Sequence, residues 1–173
     1  MPEKLKNVLF CCTGNVFRSL TAEHALRREL ARRGCALQVG SAGTEDRPQT
    51  VRPYVRTYLE QHGLDVTAHT RRTLTPKLLD DADLVIAMST EHRDFIRSQF
   101  AYAAPLFLQL CTAADSGNYA LPDVDEAVPD YLTNKPGAES HMSLTIDRII
   151  HMTPRLAERI CAGEIPARGK LDL

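Results

Sequence analysis

Three observations predict that this 173-residue chain folds as an α/β domain, a three-layer sandwich whose four-stranded parallel sheet carries helices on both faces. Short apolar runs alternate with longer segments whose apolar residues recur at helical spacing. The runs are nearly uninterrupted, as in strands buried on both faces. Turn and cap residues (Gly34, His62-Gly63, Thr75-Pro76) separate them. Strand–helix alternation of this kind requires right-handed crossovers and therefore a parallel sheet.

In chain order, Val8-Leu9-Phe10-Cys11 is the first buried strand, after a charged leader. Residues 18–33 are helical, with Ala22, Leu26 and Leu30 on one face and Arg27, Arg28, Arg32 and Arg33 largely off it. Gly34 stops this helix as a C′ residue. A second strand spans 37–40 and a second helix 51–61. Pro76, after Thr75, opens a short helix at its N1 position. The third strand is 84–88, followed by a helix capped by Ser89 or Thr90 that runs to about residue 99. Residues 104–108 read as the fourth strand. From 112 to 140 the periodicity lapses. Pro122, Pro129 and Pro136 mingle there with Asp115, Asp123, Asp125, Glu126 and Asp130, predicting a long acid-bearing loop of functional or mobile character. Met142, Ile146, Ile149, Leu156 and Ile160 mark a last amphipathic helix, with Pro154 expected to kink or interrupt it. Residues 162–173 read as a flexible tail.

Composition narrows the function classes. The length suits one domain, 1–173. A hydrophobic fraction of 43% and a charged fraction of 25% exclude disorder as the main state. A net charge of −1 supplies no overall attraction to nucleic acid or to an anionic membrane, and neither partner is expected. No apolar run reaches the ~18 residues that span a bilayer. The charged start lacks the apolar core of a secretory signal. Five cysteines, an odd number that includes the adjacent Cys11 and Cys12, argue for reduced thiols and a cytoplasmic protein. The six histidines show no ligand spacing, so neither metal nor cofactor is expected.

The chemistry concentrates in Cys12-Thr13-Gly14-Asn15-Val16-Phe17-Arg18-Ser19. A loop between a buried strand and a helix start can turn its backbone N–H groups toward one point, an anion site for phosphate or sulfate. Gly14 and Asn15 are the residue types that most readily adopt positive φ. Arg18 adds a planar fork matched to two phosphate oxygens. No Gly-Lys-Ser/Thr follows, which excludes the nucleotide-binding P-loop. The loop's donors and Arg18 favour the thiolate form of Cys12, and a thiolate beside a bound phosphate is placed for in-line attack at phosphorus.

These residues resemble the low-molecular-weight protein tyrosine phosphatases over nearly the whole chain. The family pattern Cys-x-Gly-Asn-x-Cys-Arg-Ser-Pro-x-Ala-Glu is matched from Cys12 to Glu23. Ser41-Ala42-Gly43-Thr44, His69-Thr70-Arg71-Arg72 and the stretch from Ala82-Asp83 to Met88 match its later segments. The resemblance implies the phosphotyrosine protein phosphatase I-like, flavodoxin-like sandwich and a cofactor-free phosphomonoester hydrolase, a protein tyrosine phosphatase working through a phosphocysteine. It implies Cys12 as nucleophile, Arg18 as holder of the equatorial oxygens, and Ser19 as donor to the Cys12 sulfur. Asn15, tied to Ser41 and His69, would hold the strained loop. The family's acid is an Asp, usually before Pro, from the long loop. No Asp-Pro exists here, and Asp130 in Val128-Pro129-Asp130-Tyr131 is the expected general acid/base, with Asp123 second. The substrate is a phosphorylated protein or a small phosphomonoester.

Departures keep other readings open. Phe17 replaces the second loop cysteine, so the protective disulfide cannot form within the loop. Leu20 replaces the helix-opening Pro. Glu45 stands where an aromatic residue often walls the pocket, which leaves Tyr131 as the aromatic wall. Arsenate reduction on the same scaffold needs resolving cysteines, and residues 36–110 contain none. Phosphoarginine phosphatases carry Thr at the position of Val16, where tyrosine phosphatases tend to have Ile. A phosphate-binding regulatory module would tolerate loss of the acid. Cys11, Cys35, Cys111 and Cys161 read as packing residues, Arg71 and Arg72 equally as surface charges, and Asp130 otherwise as a turn residue after Pro129.

Overall fold

The computed structural model describes residues 4–112, 117–167 and 171. Asp115 and most of 168–173, part of the expected tail, lie outside the described residues. Strand β1 (Asn7–Cys12) is central, flanked by β2 (Gln38–Gly43) and β3 (Leu84–Ala87), and all pairings are parallel. The order β2-β1-β3 reverses winding direction at β1, the place where open α/β sheets bind ligands beyond their strand ends.

Helices α1 (Arg18–Arg32), α2 (Pro53–Gln61), α3 (Pro76–Asp80), α4 (Thr90–Phe100), α5 (Phe107–Thr112), α6 (Val124–Ala127) and α7 (Lys135–Cys161) complete the described elements. Side-chain alternation along β1 divides the core. Val8, Phe10 and Cys12 pack with residues of α1, α5 and α7, whereas Leu9 and Cys11 face Leu79 of α3 and Ile96 of α4. Both faces of the sheet are therefore buried, which explains the unbroken apolar runs. The same period of two sends adjacent Cys11 and Cys12 to opposite sides. Phe10 meets Phe107 edge-on at 6.1 Å between ring centroids, a favourable aromatic geometry. A second cluster joins Leu20 and Ala25 of α1 to Val55 and Leu59 of α2 and to Met142 and Ile146 of α7.

The expected fourth strand is corrected. Residues 104–108 contribute one parallel bridge, Ala87 to Leu106, and Phe107 already begins α5, so the described sheet has three strands. Pro105 has no N–H to extend the ladder, although its carbonyl accepts from Ala87 N at 3.0 Å. A short apolar run does not distinguish a strand from a buried helical turn.

Helix α7 is continuous through Pro154, so the expected interruption does not occur. Its buried residues from Ala138 to Ile160 recur every three or four positions against α1 and α5, and this packing outweighs one lost backbone bond. The helix starts seven residues before Met142 because Asn134 caps it, accepting from Gly137 N at 3.0 Å, and Pro136 occupies its first turn. Ile165 is buried against the α1–α7 face of the sheet.

Candidate active site

The loop from Cys12 to Phe17 joins the carboxyl end of β1 to the start of α1. No described side chain caps α1, so the first-turn N–H groups face the loop without a competing acceptor. Asn15 takes φ 58°, the left-handed region. Its side chain holds this geometry: Nδ2 donates to Ser19 Oγ at 3.0 Å and to Ser41 Oγ at 2.7 Å, and Oδ1 accepts from Arg72 N at 3.1 Å. Its carbonyl lies 2.8 Å from His69 Nε2, which must be the donor because a carbonyl only accepts. Burial holds the His69 imidazole below its ordinary range, in its neutral form. The Ser41 hydroxyl in turn donates a hydrogen bond to Glu23 Oε1 at 3.0 Å. Asn15, Ser41 and His69 are thus brought together as expected.

Cys12 Sγ lies 2.9 Å from Ser19 Oγ, with both residues buried. Arg18 is 1% exposed, yet its guanidinium reaches the same pocket. Nη1 donates to Leu121 O at 2.8 Å, and Nη2 donates to Asp123 Oδ2 at 3.0 Å and to Thr13 Oγ1 at 3.3 Å. The pocket is lined by Cys12, Gly14, Val16, Phe17 and Arg18 of the loop, with Asp123 and Tyr131 across from them.

Asp130 is not among the lining residues. Its carbonyl accepts from Asn134 N at 2.8 Å, and its carboxylate accepts from Asn134 Nδ2 at 3.2 Å, which makes it the turn that leads into α7. Asp123 occupies the position facing the sulfur loop, held there by its neighbours. Leu121 N donates to Ser89 Oγ at 3.3 Å, and His141 Nε2 of α7 donates to Pro122 O at 2.9 Å. Asp123 Oδ1 accepts from Val124 N at 2.8 Å as the cap of α6.

Glu45 also stands outside the lining residues. Its N–H donates to Thr13 O at 3.1 Å, its carbonyl accepts from Arg71 Nη2 at 2.6 Å, and its carboxylate pairs with Arg47 at 2.8 Å. Arg47, Gln49 and Arg52 line that side instead, and the Arg52 guanidinium sits 5.6 Å from the centroid of the Tyr131 ring. Gly43 is required where β2 passes the loop, since a Cβ there would meet Thr13 O at 2.6 Å.

Three further residues support the site: Arg71 and Arg72, which the sequence left evenly balanced against surface charges, and His92, which it gave no role. Arg71 Nε donates to Gly14 O at 3.0 Å and Arg72 Nε to Ser41 O at 3.0 Å, so both brace backbone carbonyls of the site. His92 is 1% exposed. Its Nδ1 accepts from Ser89 N at 3.1 Å, and this fixes Nε2–H as donor to Thr13 Oγ1 at 2.9 Å. Burial, and then the Arg18 charge, lower its pKa to about 3. The signal was a polar residue three positions after Ser89, the spacing of a capping box.

The other cysteines lie away from this chemistry. All five are free. Burial pushes the Cys11 thiol well up and the Cys111 thiol up to about 12, so both stay protonated. Cys111 lies in the core on α5. No helix among the described residues is long and apolar enough to cross a membrane.

Comparison with known proteins agrees with the geometry. The family model of the low molecular weight phosphotyrosine protein phosphatases matches residues 7–126, a span that includes Cys12, Arg18 and Asp123. A protein-arginine-phosphatase of Bacillus subtilis is 36% identical over 96 residues, covering 54% of this chain and 63% of that protein. The match thus spans less than two thirds of that curated relative. Among solved structures, a mutant of YwlE from Bacillus subtilis superposes with TM-score 0.72 at 25% identity, covering 90% of this chain and 98% of that one. The solution structure of a low molecular weight protein tyrosine phosphatase from the same species gives TM-score 0.71 at 25% identity, covering 92% and 99%. With the family model matched across the sheet, the sulfur loop and the segment through Asp123, this chain belongs to the low molecular weight phosphotyrosine protein phosphatase family.

Proposed function

We propose that this protein is a cysteine-dependent phosphomonoesterase of the protein-tyrosine-phosphatase type, and that Asp123 is its general acid and base. The observation that carries the reading is the convergence of Cys12, Arg18 and Asp123 on one pocket, with Ser19 on the nucleophilic sulfur. Cys12 Sγ attacks phosphorus in line, forming the S–P bond as the P–O bond to the leaving group breaks, and Asp123 donates its proton to the departing oxygen. Arg18 and the N–H groups at the start of α1 take up the charge on the equatorial oxygens. Water then attacks phosphorus, Asp123 accepts its proton, and the S–P bond breaks. The Ser19 hydroxyl stabilises the returning thiolate.

The incoming phosphate exchanges with Asp123 as partner of Arg18, which frees the carboxylate to face the leaving oxygen. The substrate is a phosphorylated protein or small phosphomonoester and the setting the cytoplasm, in keeping with five free thiols.

A second reading, phosphoarginine hydrolysis by the same steps, draws on the similarity to the Bacillus subtilis protein-arginine-phosphatase. Val16, an apolar residue on the pocket wall, favours the aromatic ester. Arsenate reduction is disfavoured by the burial of Cys111. Vanadate-sensitive hydrolysis of p-nitrophenyl phosphate tests the main reading. Wild type is expected to turn over and to yield a phosphoenzyme on acid quench, and Cys12→Ser to do neither. Full turnover by Cys12→Ser would overturn it.

A further inference from the structure

Next to the sulfur loop, in a groove that shares no lining residue with the Cys12 pocket, Glu23 and His24 of α1 meet His69 of the segment between α2 and α3. One carboxylate oxygen and one ring nitrogen from each histidine lie within 4.8 Å of one another. A surface groove lined by Glu23, His24, Arg27, Ser41, His69 and Arg72 opens onto them. No motif spacing relates these residues, because the fold alone joins position 69 to positions 23 and 24.

The hydrogen bond made by His69 and the unpartnered buried nitrogen of His24 suit both rings as ligands. The bond from His69 Nε2–H to Asn15 O leaves the lone pair on Nδ1. That is the usual arrangement of a metal-binding histidine, whose second nitrogen donates to a backbone carbonyl. His24 Nε2 is fully buried and makes no well-directed hydrogen bond, although Glu23 Oε2 lies 3.1 Å away. Two ligand atoms on one tetrahedral Zn²⁺ stand ~3.3 Å apart, given bonds of ~2.0–2.1 Å. Glu23 Oε1 accepts from Ser41 Oγ at 3.0 Å, and its Oε2 is the oxygen that faces His24. Arg27 Nη2, 3.3 Å from Glu23 Oε2, is the competing cation. Its side chain is half exposed and can withdraw.

We propose that Glu23, His24 and His69 form a site for a divalent transition cation, Zn²⁺ foremost, which braces the phosphate loop. Two imidazoles and one carboxylate suit Zn²⁺ or Co²⁺ and not the oxygen-seeking Mg²⁺ or Ca²⁺. Three protein ligands leave the fourth position to water in the groove. A cation on His69 Nδ1 strengthens the bond from Nε2–H to Asn15 O, and one on Glu23 steadies the acceptor of Ser41.

The test uses the full chain as Cys12→Ser, so that the loop thiolate cannot bind metal, stripped by chelation and titrated with Co²⁺ and then Zn²⁺. One equivalent of Co²⁺ is expected, with visible d–d bands and no near-ultraviolet thiolate charge-transfer band. Zn²⁺ is expected to displace it and to raise the thermal midpoint, whereas Mg²⁺ does not. His24→Gln should weaken binding about tenfold or more. Glu23→Gln, which keeps an oxygen for Ser41, provides the same reading if His24→Gln lowers the metal-free midpoint. Absence of stoichiometric binding, binding untouched by both substitutions, or a thiolate band assigning the metal to Cys35 or Cys161 would each overturn the proposal. None of these readouts involves turnover, so the site stands or falls apart from the phosphatase reading.

Discussion

Arg18 Nη2 and Asp123 Oδ2 are 3.0 Å apart, joining the start of α1 to a carboxylate 105 residues later in the chain. Arg18 is buried and Asp123 only partly so. The pair ties the Leu121–Asp123 segment to the pocket that Cys12 lines, and Leu121 O on the same guanidinium makes the attachment two-pointed.

Asp123→Asn is expected to lower kcat/KM for aryl phosphates by ~10²–10⁴-fold, the usual contribution of a positioned acid, and most for poor leaving groups. Asp130→Asn should leave the rate near wild type. Rates for both variants across a leaving-group series decide the assignment, and the opposite ranking would restore Asp130.

Asn15→Ala removes the side-chain bonds to Ser19 and Ser41 and places an Ala at φ 58°. Asn tolerates the left-handed region better than Ala does, so strain adds to the lost bonds, the thermal midpoint should fall, and kcat should change more than KM. Asn15→Gly keeps the backbone conformation and loses only the bonds. A midpoint for Asn15→Gly between those of wild type and Asn15→Ala would separate strain from hydrogen bonding.

Stability should decline as pH falls from 6.5 toward about 3 because of His92. The folded state keeps this imidazole neutral at pH values where the unfolded chain protonates it. The unfolded state therefore binds more protons across that window, and stability rises with pH there. His92→Gln can still accept from Ser89 N as a capping-box residue. Denaturant midpoints of this variant between pH 6.5 and 5 should show a flatter slope than wild type.

Val16→Thr adds a hydroxyl to the pocket wall at nearly constant volume. The ratio of kcat/KM for phosphoarginine over phosphotyrosine is expected to rise, by about tenfold or less, as a single pocket contact allows. An unchanged ratio would remove Val16 as the selecting residue.

By itself the sequence determined the strand–helix alternation, the loop after β1 and the cysteine at its head. These rest on local rules: β1 is an apolar run buried on both faces, Gly34 and Pro76 end and begin helices, and Cys12 to Ser19 are neighbours in the chain. The expected fourth strand fails because an apolar run of five residues carries no periodicity, and only the donor missing at Pro105 and the packing of Phe107 against Phe10 turn it into α5. Which of Asp123 and Asp130 lines the pocket was likewise beyond local reading, since both follow a proline in an acidic stretch. It depends on Ser89, His141 and Arg18, residues distant in sequence that take hold of the Leu121–Asp123 backbone and carboxylate. The roles of His92, Arg71 and Arg72, and the meeting of Glu23 and His24 with His69, were decided by tertiary structure for the same physical reason. A side chain's partner across a fold is set by how elements pack, and spacing along the chain reports only partners within one element or one turn.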